Sequence, residues 1–229
     1  MKNTYIVFII FFLSVFAIEE TTAQNSQMTG TVFMPVIRQE RRTFRGRIYR
    51  NRLSSAKKVK SQAGSTPSSF TDVIISAHPI SFQAELKPIE TVRIFQRNAT
   101  FIPRVVPVIP GTIIEFINRD RFFHNVFSIT PGSRFNIGRK PTGVIVQRVV
   151  LKIGEIKLFC DIHAQMNATL LCLDTPYFTR VEANGKYLLD GLPEGKYEIR
   201  VYHPDMDEIN EIVDLKDNQT IRQNFTLSR

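Results

Sequence analysis

The chain has 229 residues, 43% hydrophobic and 10% aromatic, with 30 Lys and Arg against 21 Asp and Glu for a formal net charge of +9. That length holds one or two small domains, and the frequent turn signals among β-branched and aromatic residues point to an all-β protein. Helical periodicity is sustained nowhere, and no repeat of the solenoid or propeller type is visible.

The first residues set an expected compartment. Lys2 precedes an apolar run from Tyr5 to Ile18, short of the roughly 20 residues that span a bilayer, and Thr21-Thr22-Ala23 offers small residues for a signal peptidase. A signal peptide over 1–23, cleaved after Ala23, is therefore expected, with the mature protein periplasmic or secreted. No cysteine follows the apolar run, which excludes a bacterial lipoprotein anchor.

Residues 24–69 read as a basic arm and linker. Between Arg38 and Lys60 there are ten Lys or Arg and one Glu, a balance of 10 − 1 = +9 that equals the excess of the whole chain. Such an arm steers an acidic redox partner or an anionic membrane surface through a salt-sensitive field, or is a plain tether. Nucleic acid fits less well, because export removes the usual target and no recognition motif accompanies the charge. Ser61 to Ser69 has the composition of a flexible linker. Short strands are expected on either side of it, at Gly30–Phe33 and Asp72–Ser76, as the strands that complete the small β unit at the C-terminal end.

Residues 70–174, with a core at 92–174, carry the chemistry. Cys160-Asp-Ile-His163-Ala-Gln-Met166 brings a thiolate, an imidazole and a thioether into seven residues, and His124 upstream supplies a second imidazole. Soft thiolate and imidazole donors with a weak axial thioether suit copper. Cys160 ends an apolar stretch (Ile156, Leu158, Phe159) and a second one, Ala168 to Leu173, begins just after Met166. Three donors then share a loop between two strands. His124 lies in an aromatic-rich segment, Phe122 to Phe127, that can bring the fourth from across a sandwich.

Other metal centres fail on residue type. A binuclear copper site needs a second nearby cysteine, c-type haem needs Cys-x-x-Cys-His, and structural zinc prefers several Cys or His to a methionine. The other cysteine, Cys172, is about 20 Å from the loop at ~3.3 Å per residue of extended chain. A disulfide is thereby opposed, and Cys172 is expected to pack in the core beside Ala168 and Leu170.

Residues 175–229 form a second β unit. Gly185 to Val201 reads as two alternating strands around a Pro/Gly turn at Pro193–Gly195, with further strands near Ile209–Leu215 and Thr220–Leu227. Some 55 residues are few for an independent sandwich, so the unit borrows strands or packs on its neighbour. The remaining histidines, His78 and His203, both precede proline, and their spacing supports no second metal site. There is no Gly-x-Ser-x-Gly elbow and no phosphate loop, so the chain is not expected to be an enzyme.

Phe101-Ile-Pro103, Pro110 to Phe116, Asn118-Arg-Asp120, His124-Asn-Val-Phe127 and the Cys160 loop occur in an order that resembles plastocyanin-like cupredoxins. The resemblance covers roughly 92–174, and the two-residue gap between His163 and Met166 is similar to the short loop of amicyanin. It implies a Greek-key β-sandwich with one copper ion (Cu+/Cu2+) held by His124, Cys160, His163 and Met166. Asn125 would brace the ligand loop by hydrogen bonds, and electrons would leave through His163 within an apolar surface patch. The C-terminal unit resembles the carboxypeptidase regulatory-like module, a small transthyretin-type β-sandwich without catalysis, and a Gly-Thr-Val strand such as Gly30–Val32 commonly opens such modules. The copper unit would then be an insertion, as in plastocyanin-like proteins of the methylamine-utilisation type. The expected function is outer-sphere one-electron transfer between envelope redox partners. The alternatives are a copper-delivery protein and a structural envelope module.

Overall fold

A computed structural model describes residues 26–35, 69–88 and 90–229. The expected signal peptide and the basic run from Arg38 to Lys60 lie outside these residues. The described chain is all β apart from one 3-10 turn at Phe70–Asp72, as the composition implies. None of its helices is long and apolar enough to cross a membrane.

Two strands come first, β1 (Ser26–Phe33) and β2 (Ile74–Pro79). Nine follow: β3 (Val92–Arg97), β4 (Thr100–Ile102), β5 (Val105–Val108), β6 (Ile113–Asn118), β7 (Phe127–Ser128), β8 (Phe135–Asn136), β9 (Ile145–Val149), β10 (Gly154–Phe159) and β11 (Asn167–Cys172). The last six are β12 (Phe178–Arg180), β13 (Lys186–Leu192), β14 (Gly195–Tyr202), β15 (Ile209–Leu215), β16 (Thr220–Arg222) and β17 (Phe225–Thr226).

Pairing sorts these strands into two sandwiches. Sheets β4-β3-β6-β9 and β5-β11-β10-β7-β8 enclose one core, called here the site sandwich. Sheets β12-β2-β14-β15 and β13-β1-β16, with β17 also on β1, enclose the other, the flanking sandwich. Strand pairing thus puts 74–79, like 26–33, with the C-terminal strands and not with residues 92–174. The long middle stretch departs from β2 and returns at β12.

Alternation along each strand explains the two cores. In β10, Ile156 and Leu158 point inward while Glu155 and Lys157 face out, the pattern of a half-buried antiparallel strand. In β11, Ala168, Leu170 and Cys172 enter the site-sandwich core, and both cysteines are free.

Two strands break the pattern because both their faces are covered. Ile75 and Ala77 of β2 enter the flanking core, while Ile74 joins Val105, Leu171, Leu173 and Tyr202 in a separate apolar cluster between the sandwiches. Leu171 lies on the opposite face of β11, and Leu173 directly follows that strand. Near-continuous apolar runs, Val73-Ile-Ile and Ala168 to Leu173, are what a doubly buried strand requires.

Charged groups clamp the rim of this seam. The guanidinium of Arg104, in the β4–β5 loop, donates to Asp72 (3.3 Å) and to Asp205 (2.9 Å) of the flanking sandwich. Arg180 donates to the carbonyls of Thr71 and Val105, tying β12 to the turn before β2 and to β5. Arg104 and Asp72 are 13% and 8% exposed, so their pairing is largely shielded from solvent.

His78 spans the same seam. Its Nδ1 lies 2.6 Å from Asp174 Oδ1, and its Nε2 lies 2.9 Å from Ser76 Oγ. The neutral ring satisfies both, donating from Nδ1 to the carboxylate and accepting the hydroxyl proton at Nε2. The order is that of a catalytic relay, but Ser76 is 2% exposed between two sheets, which makes the arrangement a latch. Burial, then Arg200, lowers the His78 pKa below 6.5 against the opposing pull of Asp174 and Glu198. Burial lowers that of His203 too, whose Nδ1 accepts the Asp205 N–H at 3.1 Å.

Two outcomes follow from the seam. Arg104→Ala leaves Asp72 shielded with Arg180 nearby, and should cost about 2 kcal/mol in urea denaturation, the scale of a lost hydrogen bond to a charged group. Because both histidines bind protons less readily folded than unfolded, stability is full above pH 6.5 and falls as pH drops through that value. The urea midpoint should decline between pH 7.5 and 5, and His78→Gln should flatten part of that decline.

Candidate metal centre

The loops at one end of the site sandwich converge on a point. One donor atom each from His124, Cys160 and His163 lies within 4.8 Å of the others. Donors bound at ~2.0–2.3 Å to a single ion are at most about 4.6 Å apart, so the trio closes on one ion with little movement.

Each donor reaches this point for a local reason. Cys160 follows the last residue of β10, whose register on β11 and β7 is fixed at Phe159 by Asn167 and Phe127. His163 begins a tight turn in which its carbonyl accepts the Met166 N–H at 2.9 Å. Met166, 1% exposed, belongs to the same core cluster as Cys160. His124 is held by a two-way backbone bridge to Lys140 (3.1 and 2.7 Å).

The donor set fits a metal by its unmet valences. His124 Nε2 donates to Asp120 Oδ2 at 2.7 Å, leaving Nδ1 facing Cys160 Sγ at 3.8 Å. His163 Nδ1 is buried with no hydrogen-bond partner among the described residues. A buried imidazole nitrogen without a partner is costly in an apolar setting, and a metal ion removes the cost. One thiolate and two imidazoles beside a thioether-bearing methionine form a soft set of the kind copper takes.

Asp120 is the residue that sequence reasoning missed. Burial opposes its ionisation, but the Ala99 N–H, the His124 ring and the Asn98 N–H outweigh that and hold its carboxyl below the ordinary carboxylate range. The two amides lie 2.9 and 2.7 Å from its oxygens. They converge because Asn98 and Ala99 both have positive φ (53° and 52°), the backbone of a tight two-residue hairpin turn. Asn118 supports the same loop: its side chain donates to the carbonyls of Phe122 and Lys140, and its Oδ1 accepts from the Asp120 N–H.

Asn125, expected to brace the ligand loop, is 2% exposed, and its Oδ1 has no hydrogen-bond partner among the described residues. Its carbonyl accepts from Gln96 Nε2 at 3.4 Å. The hydrogen bond that holds the His124 ring comes from Asp120. Asp161, next to Cys160, faces solvent 3.6 Å from Arg139.

No family model and no curated protein matches the sequence. Among solved structures, a purple cupredoxin from Nitrosopumilus maritimus is similar at 20% identity, over 36% of this chain and 99% of that one, with a TM-score of 0.33. Amicyanin from Paracoccus versutus is similar at 16% identity, over 40% of this chain and 96% of its own, with a TM-score of 0.34. A copper-containing nitrite reductase from Thermus scotoductus is similar at 24% identity and a TM-score of 0.35, over 42% of this chain, the match spanning only 25% of the reductase. The assignment of the metal centre rests on its own donor atoms.

Asp120 fixes the His124 tautomer, so Asp120→Ala should weaken Cu(II) binding about 10–100-fold, the usual cost of losing a partner behind a metal-binding histidine. Competition with a chelator of known affinity measures this, and circular dichroism checks that the sheet content is kept.

Proposed function

We propose that this chain is an exported type 1 copper protein that passes single electrons between redox partners at the cell envelope. The observation that carries the reading is the closed cluster of His124, Cys160 and His163, with Met166 buried in the same hydrophobic core as Cys160. Cys160 as thiolate, His124 and His163 through their imidazoles and Met166 through its thioether would hold copper, which would supply a Cu(I)/Cu(II) couple.

The protein's contribution is rigidity and exclusion of water. His124, Cys160 and Met166 are 0%, 5% and 1% exposed, so no face of the cluster admits a substrate through them. Such closure favours outer-sphere transfer over catalysis at the metal. His163 is the one donor of intermediate burial, and its ring packs 5.2 Å from that of Phe122. An electron would therefore leave through the His163 edge, between Phe122 and Ile162. The flanking sandwich, read as the carboxypeptidase regulatory-like module, would serve as support, and the basic run outside the described residues as a tether or steering arm.

Adding one equivalent of Cu(II) to the purified mature chain should give an intense visible thiolate-to-copper band and reversible voltammetry. Cys160→Ser should abolish the band and leave the far-ultraviolet dichroism intact. A band that survives the substitution would remove Cys160 from the centre and the proposal with it.

A further inference from the structure

The end of the site sandwich away from the metal centre carries an apolar surface of its own. β10 starts here and runs six residues before Cys160, roughly 20 Å of extended chain. Val149, Leu151 and Ile153, around the β9–β10 turn, are 56%, 73% and 51% exposed. Ile113, which pairs with Val149 across β6 and β9, and Ile129, just past β7, are exposed as well. So many large aliphatic side chains open to solvent at one end mark a contact surface.

The turn is held in this outward position. Val150, buried between exposed neighbours, accepts the Gly111 N–H at 2.7 Å and donates to the Thr112 carbonyl at 3.0 Å. Lys152 reaches back across the β7–β8 turn, its amine donating to the Pro131 carbonyl. Its stem passes Gly132, where a Cβ would stand 3.0 Å from Lys152 Cδ, so the glycine makes room for the crossing. Leu151 and Ile153 are left exposed on either side of it.

The charged groups beside these side chains are mainly cationic. Arg134, Arg148 and Lys152 have no carboxylate partner among the described residues. The Arg148 guanidinium is held 5.6 Å from the centre of the Phe135 ring, which fixes its place at the rim. Of the acids at this end, Glu155 is paired with Lys157 at 2.6 Å, and Glu90 lies two strands away from β9, before β3.

We propose that this end seats on an anionic lipid surface, with Val149, Leu151 and Ile153 entering the headgroup region while Arg134, Arg148 and Lys152 meet lipid phosphates. Binding of this kind adds the burial of apolar area to the attraction of each cation for the surface. A second copy of the chain fits poorly, because a two-fold contact through the same patch sets the three cations against themselves. A protein partner fits less well too: protein interfaces concentrate their energy in Trp, Tyr and Arg, with Leu and Val under-represented, whereas the apolar part of this surface is Ile, Val and Leu alone. The surface is separate from the basic run Arg38–Lys60, and it does not depend on the metal. A chain seated this way carries its metal-binding loops on the side away from the bilayer.

The chain has no tryptophan, so Leu151→Trp in the purified mature chain gives a single fluorescent reporter at the turn, and Ile212→Trp on β15 gives a control at another exposed site. With phosphatidylglycerol-containing vesicles the first should shift its emission to the blue and be quenched by lipids brominated along the acyl chain, while the second does neither. In co-sedimentation, Leu151→Gln with Ile153→Gln should weaken vesicle binding about tenfold. Arg134→Gln with Arg148→Gln should remove most of the preference for phosphatidylglycerol over phosphatidylcholine vesicles. Unchanged far-ultraviolet dichroism shows that each variant is folded. Vesicle binding that leaves the Leu151→Trp emission unmoved would assign lipid contact to the basic run and overturn the proposal. A blue shift that grows with protein concentration in the absence of lipid, the mark of self-association, would do the same, as would a chain that binds no vesicles.

Discussion

The arrangement at the metal centre depends on one buried carboxylate. Asp120 accepts two amides from the Asn98–Ala99 turn and the Nε2–H of His124, so a hairpin turn about 20 residues earlier in the chain decides which imidazole nitrogen faces Cys160. The turn in turn needs the carboxylate. Ala99 occupies a left-handed conformation that costs an L-residue about 1 kcal/mol or more, and two charge-assisted hydrogen bonds offset it. The loop, the turn and the ring orientation form one cooperative unit.

This dependence explains what could be read in advance. Cys160, His163 and Met166 were legible because three soft donors fall within seven residues between two apolar strands, and His124 because it interrupts an aromatic run. Asp120 was not. It sits in Arg119-Asp-Arg121, where a lone acid between two arginines ordinarily means a solvated surface pair, and only the fold shows it turned inward beneath Asn98 and Ala99. Asn125 is illegible for a similar reason, since a neighbour in sequence says little about which way a side chain hydrogen-bonds, and its Oδ1 has no partner among the described residues. The all-β class followed from alternation and turn residues throughout.

The seam was half legible. Val73-Ile-Ile and Ala168 to Leu173 announce strands buried on both faces, but not which surfaces cover them. The clamp of Arg104 on Asp72 and Asp205, and the bridge from His78 to Asp174, link residues 32, 101 and 96 positions apart, beyond the reach of any local pattern. Asp174 ends the segment that leaves the metal-binding loop through β11. The strand that carries Met166's immediate successors is therefore gripped at its far end by the flanking sandwich.

The pairing of β1 has a consequence for the order of folding. Its partners are β13, β16 and β17, all from the last 44 residues of the chain, and β2 likewise waits for β12 and β14. The first described strands have no partner until residues 178–226 have been made. The site sandwich, assembled from one uninterrupted stretch, is free to form beforehand, and by doing so it shortens the gap between β2 and β12 that the flanking sheets must close. Closing that gap is what the site sandwich contributes to the assembly of the unit that encloses its two ends.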